Sequence, residues 1–144
     1  MEIEKIAQAY ARFYEELSAK TPREAYGVFF DKHSEFSDPF QSVKGLHAIE
    51  KIFEDMYAKL YEPRFVVDEV VCSKDVAYMK WRFYYSLSKD AKADSFSGIS
   101  RVTFTPSAKV KSHVDFWDAA SNVYEKIPLL GFFMRLIKRR LQAE

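Results

Sequence analysis

The sequence predicts an α+β fold, with three helices followed by antiparallel strands that form a curved sheet carrying the helices on one face. Three observations support this. Apolar residues recur at helical spacing as far as Leu60, they alternate beyond Pro63, and a turn such as Thr105-Pro106-Ser107 closes an alternating segment. The chain of 144 residues is long enough for one domain with one sizeable core. With no repeat, low-complexity stretch or linker, residues 1–144 read as a single domain: a core over 1–120 and a helical extension over 121–144.

The elements follow in order. Ile3, Ile6, Tyr10, Phe13, Tyr14 and Leu17 make one apolar stripe on a first helix, with Glu2, Glu4, Arg12 and Glu16 outside it. Thr21-Pro22 supplies a capping residue and a first-turn proline for a short second helix ending near Phe30. His33 to Val43 is an extended pair broken at Asp38-Pro39. Beyond Gly45, Leu46, Ile49, Phe53, Met56 and Leu60 stripe a third helix. Phe65–Cys72 is a valine-rich strand. Asp75–Leu87 alternates Ala77, Met79, Trp81, Phe83, Tyr85 and Leu87 against Lys80, Arg82 and Ser86, which predicts a long strand with one buried face. Phe96–Phe104 and Val110–Trp117 complete the sheet.

The tail Ile127-Pro128-Leu129-Leu130-Gly131 leads into a basic helix, Phe132 to Leu141, with a broad apolar side. We expect it to pack back over the domain, in a cluster with Trp117, Tyr124 and the Phe pair. The same pattern would also suit an anionic membrane surface or a partner.

Composition narrows the function. Hydrophobic residues make up 48% and aromatics 17%, a surplus that suits a core or the lining of a pocket. A net charge of +1 gives no reason to expect nucleic acid. The single Cys72 excludes an intrachain disulfide and fits a reducing, cytoplasmic setting. The opening Met-Glu-Ile-Glu-Lys reads as acidic and amphipathic, so no signal peptide is expected, and no uncharged apolar run is long enough to cross a bilayer. His33, His47 and His113 lack ligand spacing, so no metal is expected. No serine sits in a Gly-x-Ser-x-Gly turn, and four glycines leave no phosphate loop.

Proton chemistry remains. Asp38, between aromatics and before Pro39, is either a turn residue or a general base with a raised pKa. His113, Asp115 and Trp117 share one strand face, and Val110, Ser112, Val114 and Phe116 share the other. Periodicity alone leaves open which face looks into the concave side.

With these pieces placed, the chain resembles the nuclear transport factor 2-like superfamily of cone-shaped domains, which includes ketosteroid isomerases, limonene epoxide hydrolase and SnoaL-like polyketide cyclases. The motifs that carry the resemblance are the aromatic first helix, Phe36-Ser-Asp-Pro with Gly45 beyond, the Trp81 strand, and Lys109-Val110. The ending His113-Val-Asp-Phe-Trp-Asp-Ala with its basic helix is similar to a bacterial subgroup of that superfamily.

The resemblance implies roles for particular residues. Asp38 matches the isomerase base, facing Tyr14 as an oxyanion donor. Ser100 stands where those enzymes keep a protonated aspartic acid. Asp115, aided by His113, resembles the last-strand acid of the cyclases. Met79, Trp81, Phe83, Trp117 and Phe53 would hold a small apolar molecule without a cofactor, while Arg82 and Arg101 would turn outward. Two functions compete: a proton-transferring isomerase or cyclase, and a non-catalytic binding or dimerisation domain. In the second, outward Tyr78, Lys80, Arg82 and Tyr84, with Val114 and Phe116, would form a homodimer interface.

Overall fold

The structure is a computed structural model describing residues 2–143. Helix α1 (Glu2–Glu16) buries Ala7, Tyr10, Ala11, Phe13 and Tyr14. Two alanines let it lie close to the sheet, and the aromatics reach inward from that position. Helix α2 (Arg23–Phe29) starts one residue later than expected, with Pro22 in the capping position and the Thr21 hydroxyl accepting from Ser18 N instead. Helix α3 (Leu46–Lys59) buries Ile49 and Phe53 together with Glu50, whose carboxylate faces Arg23 of α2 at 3.9 Å. The helix enters through Gly45, whose φ of +100° disfavours any residue with a side chain.

Six strands form one sheet in the order β2-β1-β6-β5-β4-β3. They are β1 (Phe30–Ser37), β2 (Ser42–Lys44), β3 (Tyr61–Ser73), β4 (Val76–Ser86), β5 (Asp94–Phe104) and β6 (Val110–Phe116). All neighbours pair antiparallel except β1 and β6, which are parallel. The edge strand β3 is interrupted at Glu62-Pro63 and again at Asp68, where its register slips. Such interruptions twist an exposed edge and discourage further pairing. The three helices lie against one face of the sheet, and a single hydrophobic cluster from Ala7 to Val110 fills the space between.

The last strand departs from simple alternation. Phe104 pairs with Val110 but Thr103 pairs with Ser112, so Lys111 is an extra residue, a β-bulge. On the other side, β1 slips between Phe30 and Glu35, and the buried Ser34 hydroxyl donates to the Val110 carbonyl freed by that slip. Val110 therefore points into the core and does not share the outer face with Val114 and Phe116, as strict alternation predicts. His113 also points inward. Lys109 anchors the turn before β6, its ammonium donating to the last carbonyls of α2, Gly27 O at 2.7 Å and Val28 O at 2.8 Å.

Beyond the sheet, α4 (Ala119–Asn122) is capped by the Asp118 carboxylate, and a 3-10 turn at Tyr124–Lys126 leads to α5 (Pro128–Leu141). The expected cluster does not form. Trp117 and Tyr124 pack on Phe40, whereas Phe132 and Phe133 pack edge to face on each other and stay exposed. The cause is the orientation of α5, whose contact side bears Gly131, Arg135 and Lys138. Among the described residues no helix is long and apolar enough to cross a membrane.

Candidate functional site

Three adjacent strands meet α1 at one buried point. Register sets Met79 of β4 beside Ser100 of β5, and Ser100 beside Asp115 of β6. His113 lies two residues before Asp115 on the same inward face and is 1% exposed. Its ring is stacked between Phe36 of β1, at 5.0 Å between centroids, and Tyr14 of α1, at 5.4 Å. Two aromatic faces thus fix the imidazole plane, and hydrogen bonds fix its rotation.

Those bonds form one chain. Tyr14 OH lies 3.2 Å from Tyr10 OH, which lies 2.8 Å from His113 Nδ1. His113 Nε2 is 2.7 Å from Asp115 Oδ1, and the Ser100 hydroxyl donates to the same oxygen at 2.5 Å. Trp81 Nε1 donates in turn to Ser100 Oγ at 2.8 Å. With a neutral imidazole donating through Nε2, Nδ1 accepts from Tyr10, and Tyr10 accepts from Tyr14. Every proton in the chain then points toward Asp115. Burial pushes the phenols of Tyr10 and Tyr14 well above their ordinary range, and the nearby Asp115 carboxylate adds to the effect. They remain protonated and act as donors.

Asp115 Oδ2 takes no hydrogen bond among the described residues, and Asp115 lines a small cleft with Tyr14, Phe65, Val67, Met79 and Trp81. The cleft offers about 10 Å³, room for one water. A wider recess of about 290 Å³ lies among the helices, beside Arg23, Glu50, Glu54 and Tyr57. Among the described residues no three His, Cys, Asp or Glu side chains come together to hold a metal ion.

The residues singled out from the sequence divide into groups. Tyr14, Ser100, His113 and Asp115 converge, and Met79 and Trp81 join them at the cleft. Phe53 and Phe83 belong to aromatic clusters behind it, and Trp117 stacks on Phe96 at 4.2 Å. Asp38 shares no hydrogen bond with the chain. Its carboxylate accepts from Phe40 N at 2.8 Å, Gln41 N at 3.0 Å and Gln41 Nε2 at 3.1 Å, closing the β1–β2 turn. Asp38→Asn keeps an oxygen for both backbone donors, so it is expected to change stability by less than about 0.5 kcal/mol and to leave any turnover intact; denaturant unfolding and a rate assay check this.

Two contributors were not among the candidates read from the sequence. By sequence Tyr10 is one more member of the apolar stripe, although its position four residues before Tyr14 puts both hydroxyls on one helix face. Gly98 is the other. The Trp81 indole lies across it so closely that a Cβ there would sit 2.4 Å from the ring. Tyr10→Phe would leave His113 Nδ1 and the Tyr14 hydroxyl without their buried partner, at an expected cost of about 1–3 kcal/mol in urea unfolding.

A model of the SnoaL-like domain matches residues 10–113. The chain belongs to the SnoaL-like family. Solved structures agree on the fold. A protein from Jannaschia provisionally assigned as a SnoaL-like polyketide cyclase superposes with a TM-score of 0.71 at 12% identity, covering 82% of this chain and 88% of its own. A provisional isomerase of the SnoaL-like family from Agrobacterium tumefaciens gives 0.66 at 22% identity, over 82% of this chain and 99% of its own. TerC, co-crystallised with polyporic acid, gives 0.70 at 12% identity, over 84% and 95%. No curated protein matches by sequence. At these identities the neighbours establish the SnoaL-like fold, while the chemistry has to be argued from the residues of this chain.

Proposed function

We propose that this SnoaL-like domain binds a small apolar molecule and transfers a proton on it without a cofactor, as an isomerase or cyclase. The observation that carries this reading is the convergence on Asp115: a carboxylate with one oxygen held by Ser100 and His113 and the other left for a ligand. In this scheme Asp115 Oδ2 removes a proton from carbon next to a carbonyl. Tyr14, which lines the same cleft, turns its hydroxyl from Tyr10 to the enolate oxygen. His113 stays in place between Phe36 and Tyr14, and its Nε2 hydrogen bond fixes the orientation of the Asp115 carboxylate. Asp38, on this reading, serves the turn. The lone Cys72 suits a reducing cytoplasm.

The test is deuterium incorporation, followed by NMR, next to the carbonyl of cyclic and aryl ketones in heavy water. Exchange above the buffer rate supports the reading. A panel that exchanges only at the buffer rate removes it.

The space for one water in the cleft favours a second reading, a binding or dimerisation domain without turnover. Its surface would be the outer face of the sheet, where Tyr78, Ile99 and Phe116 (58% exposed) lie together across β4, β5 and β6. Arg82 and Tyr84 flank them, with Arg82 paired to Asp68 at 3.1 Å. We expect a homodimer by sedimentation equilibrium that Phe116→Asp converts to monomer; a wild-type monomer at all concentrations would end that proposal.

A further inference from the structure

Helix α5 is amphipathic, yet its polar side is the one turned toward α4 and the 3-10 turn that precede it. Gly131, Arg135 and Lys138, at i, i+4 and i+7, form one stripe. Gly131 is pressed against the Glu125 carbonyl so closely that any side chain there would collide with it. Arg135 Nη1 donates to that carbonyl at 3.0 Å, and Lys138 reaches both the Glu125 carboxylate and Ser121 Oγ at 3.0 Å. These contacts clamp the helix in one rotation. Leu129, Phe133 and Ile137, also at i, i+4 and i+8, therefore occupy the opposite side, 73%, 50% and 53% exposed. Phe132, Leu136, Leu130 and Leu141 widen that apolar face, and all of them are exposed.

The charges indicate what covers this face. The helix carries Arg135, Lys138, Arg139 and Arg140 and no acid. Arg135 and Lys138 are engaged with Glu125 and Ser121, whereas Arg139 and Arg140 are exposed at the C-terminal end of the helix beside the apolar stripe. A second copy of the helix would bring the same cations and no complementary carboxylate. An anionic lipid surface offers both an apolar layer and negative headgroups, and arginine stems can lie along the boundary with their guanidinium groups in the headgroup layer. Fourteen residues span about 21 Å, too short to cross a bilayer but suited to lying in its surface.

We propose that the outward face of α5, with Arg139 and Arg140, docks the protein on an anionic membrane surface. Flotation of the full chain with phosphatidylcholine vesicles containing phosphatidylserine tests it, against vesicles of phosphatidylcholine alone. The protein is expected to float with the anionic vesicles and to lose partitioning as salt rises. Phe133→Asp with Ile137→Asp is expected to abolish flotation with an unchanged melting curve, since both side chains are exposed. Arg139→Gln and Arg140→Gln should each lower partitioning about fivefold. Absence of flotation overturns the proposal, as does equal flotation of the Asp double variant. Self-association in the ultracentrifuge that the double variant removes, without vesicle binding, assigns the face to a second copy and overturns it too.

Discussion

Asp115→Asn is expected to lower proton transfer by about 10²–10⁴-fold while leaving the fold intact. The amide oxygen can still accept from Ser100 and His113, as Oδ1 does at 2.5 Å and 2.7 Å, so the buried chain of hydrogen bonds survives. An amide cannot take up a proton, so only the chemistry is removed. The comparison with Asp38→Asn is informative because the two acids sit in different surroundings. Asp38 accepts backbone and side-chain bonds in an exposed turn, whereas Asp115 lies at the end of a chain of buried donors. The check is the exchange rate of each variant on the best ketone of the panel, with thermal unfolding alongside. Equal rates for wild type and Asp115→Asn would reject Asp115 as the base.

The second large effect is expected at a residue with no functional group. Gly98→Ala would put a methyl 2.4 Å and 2.5 Å from two carbons of the Trp81 ring and 2.9 Å from the Phe116 carbonyl. The sheet backbone cannot move away, so the indole must shift and Trp81 Nε1 loses Ser100 Oγ. Overpacking of this kind costs about 1–3 kcal/mol, or about 3–10 °C in melting temperature for a domain of this size. Indole fluorescence should change with it. In a Trp81→Phe background, where the ring is smaller, the added methyl should cost much less. A cost that is the same in both backgrounds would mean that the strain lies elsewhere.

Much of this arrangement was legible beforehand because most elements obey their local period. Met79, Trp81 and Phe83 are buried as the alternation in β4 requires, and of the predicted stripes α1 buries Tyr10, Phe13 and Tyr14 and α3 buries Ile49 and Phe53. Four of the proposed catalytic residues, Tyr14, Ser100, His113 and Asp115, come together in space. The role of Tyr10 was hidden because a tyrosine in an apolar stripe looks like packing until its hydroxyl meets a partner 103 positions away. The tail misled for a related reason. Its apolar residues resemble core residues, but Gly131, Arg135 and Lys138 hold the helix in a rotation that periodicity does not encode.

The sequence alone determined the α+β architecture, the helix stripes and the pairing of His113 with Asp115 on one strand face. Whether that face looks inward was decided only in the tertiary structure. Alternation fixes faces as long as the register is unbroken, and a slip of one residue exchanges them. The bulge at Lys111 is such a slip. With Ser34 satisfying the Val110 carbonyl, it allows Val110 to enter the core without turning His113 and Asp115 out of it. Asp38-Pro39, the most conspicuous local signal for chemistry, became a closed turn because Phe40 and Gln41 occupy its carboxylate. Local sequence can specify the turn and the strand, but which acid faces the cleft depends on neighbours far away in the chain.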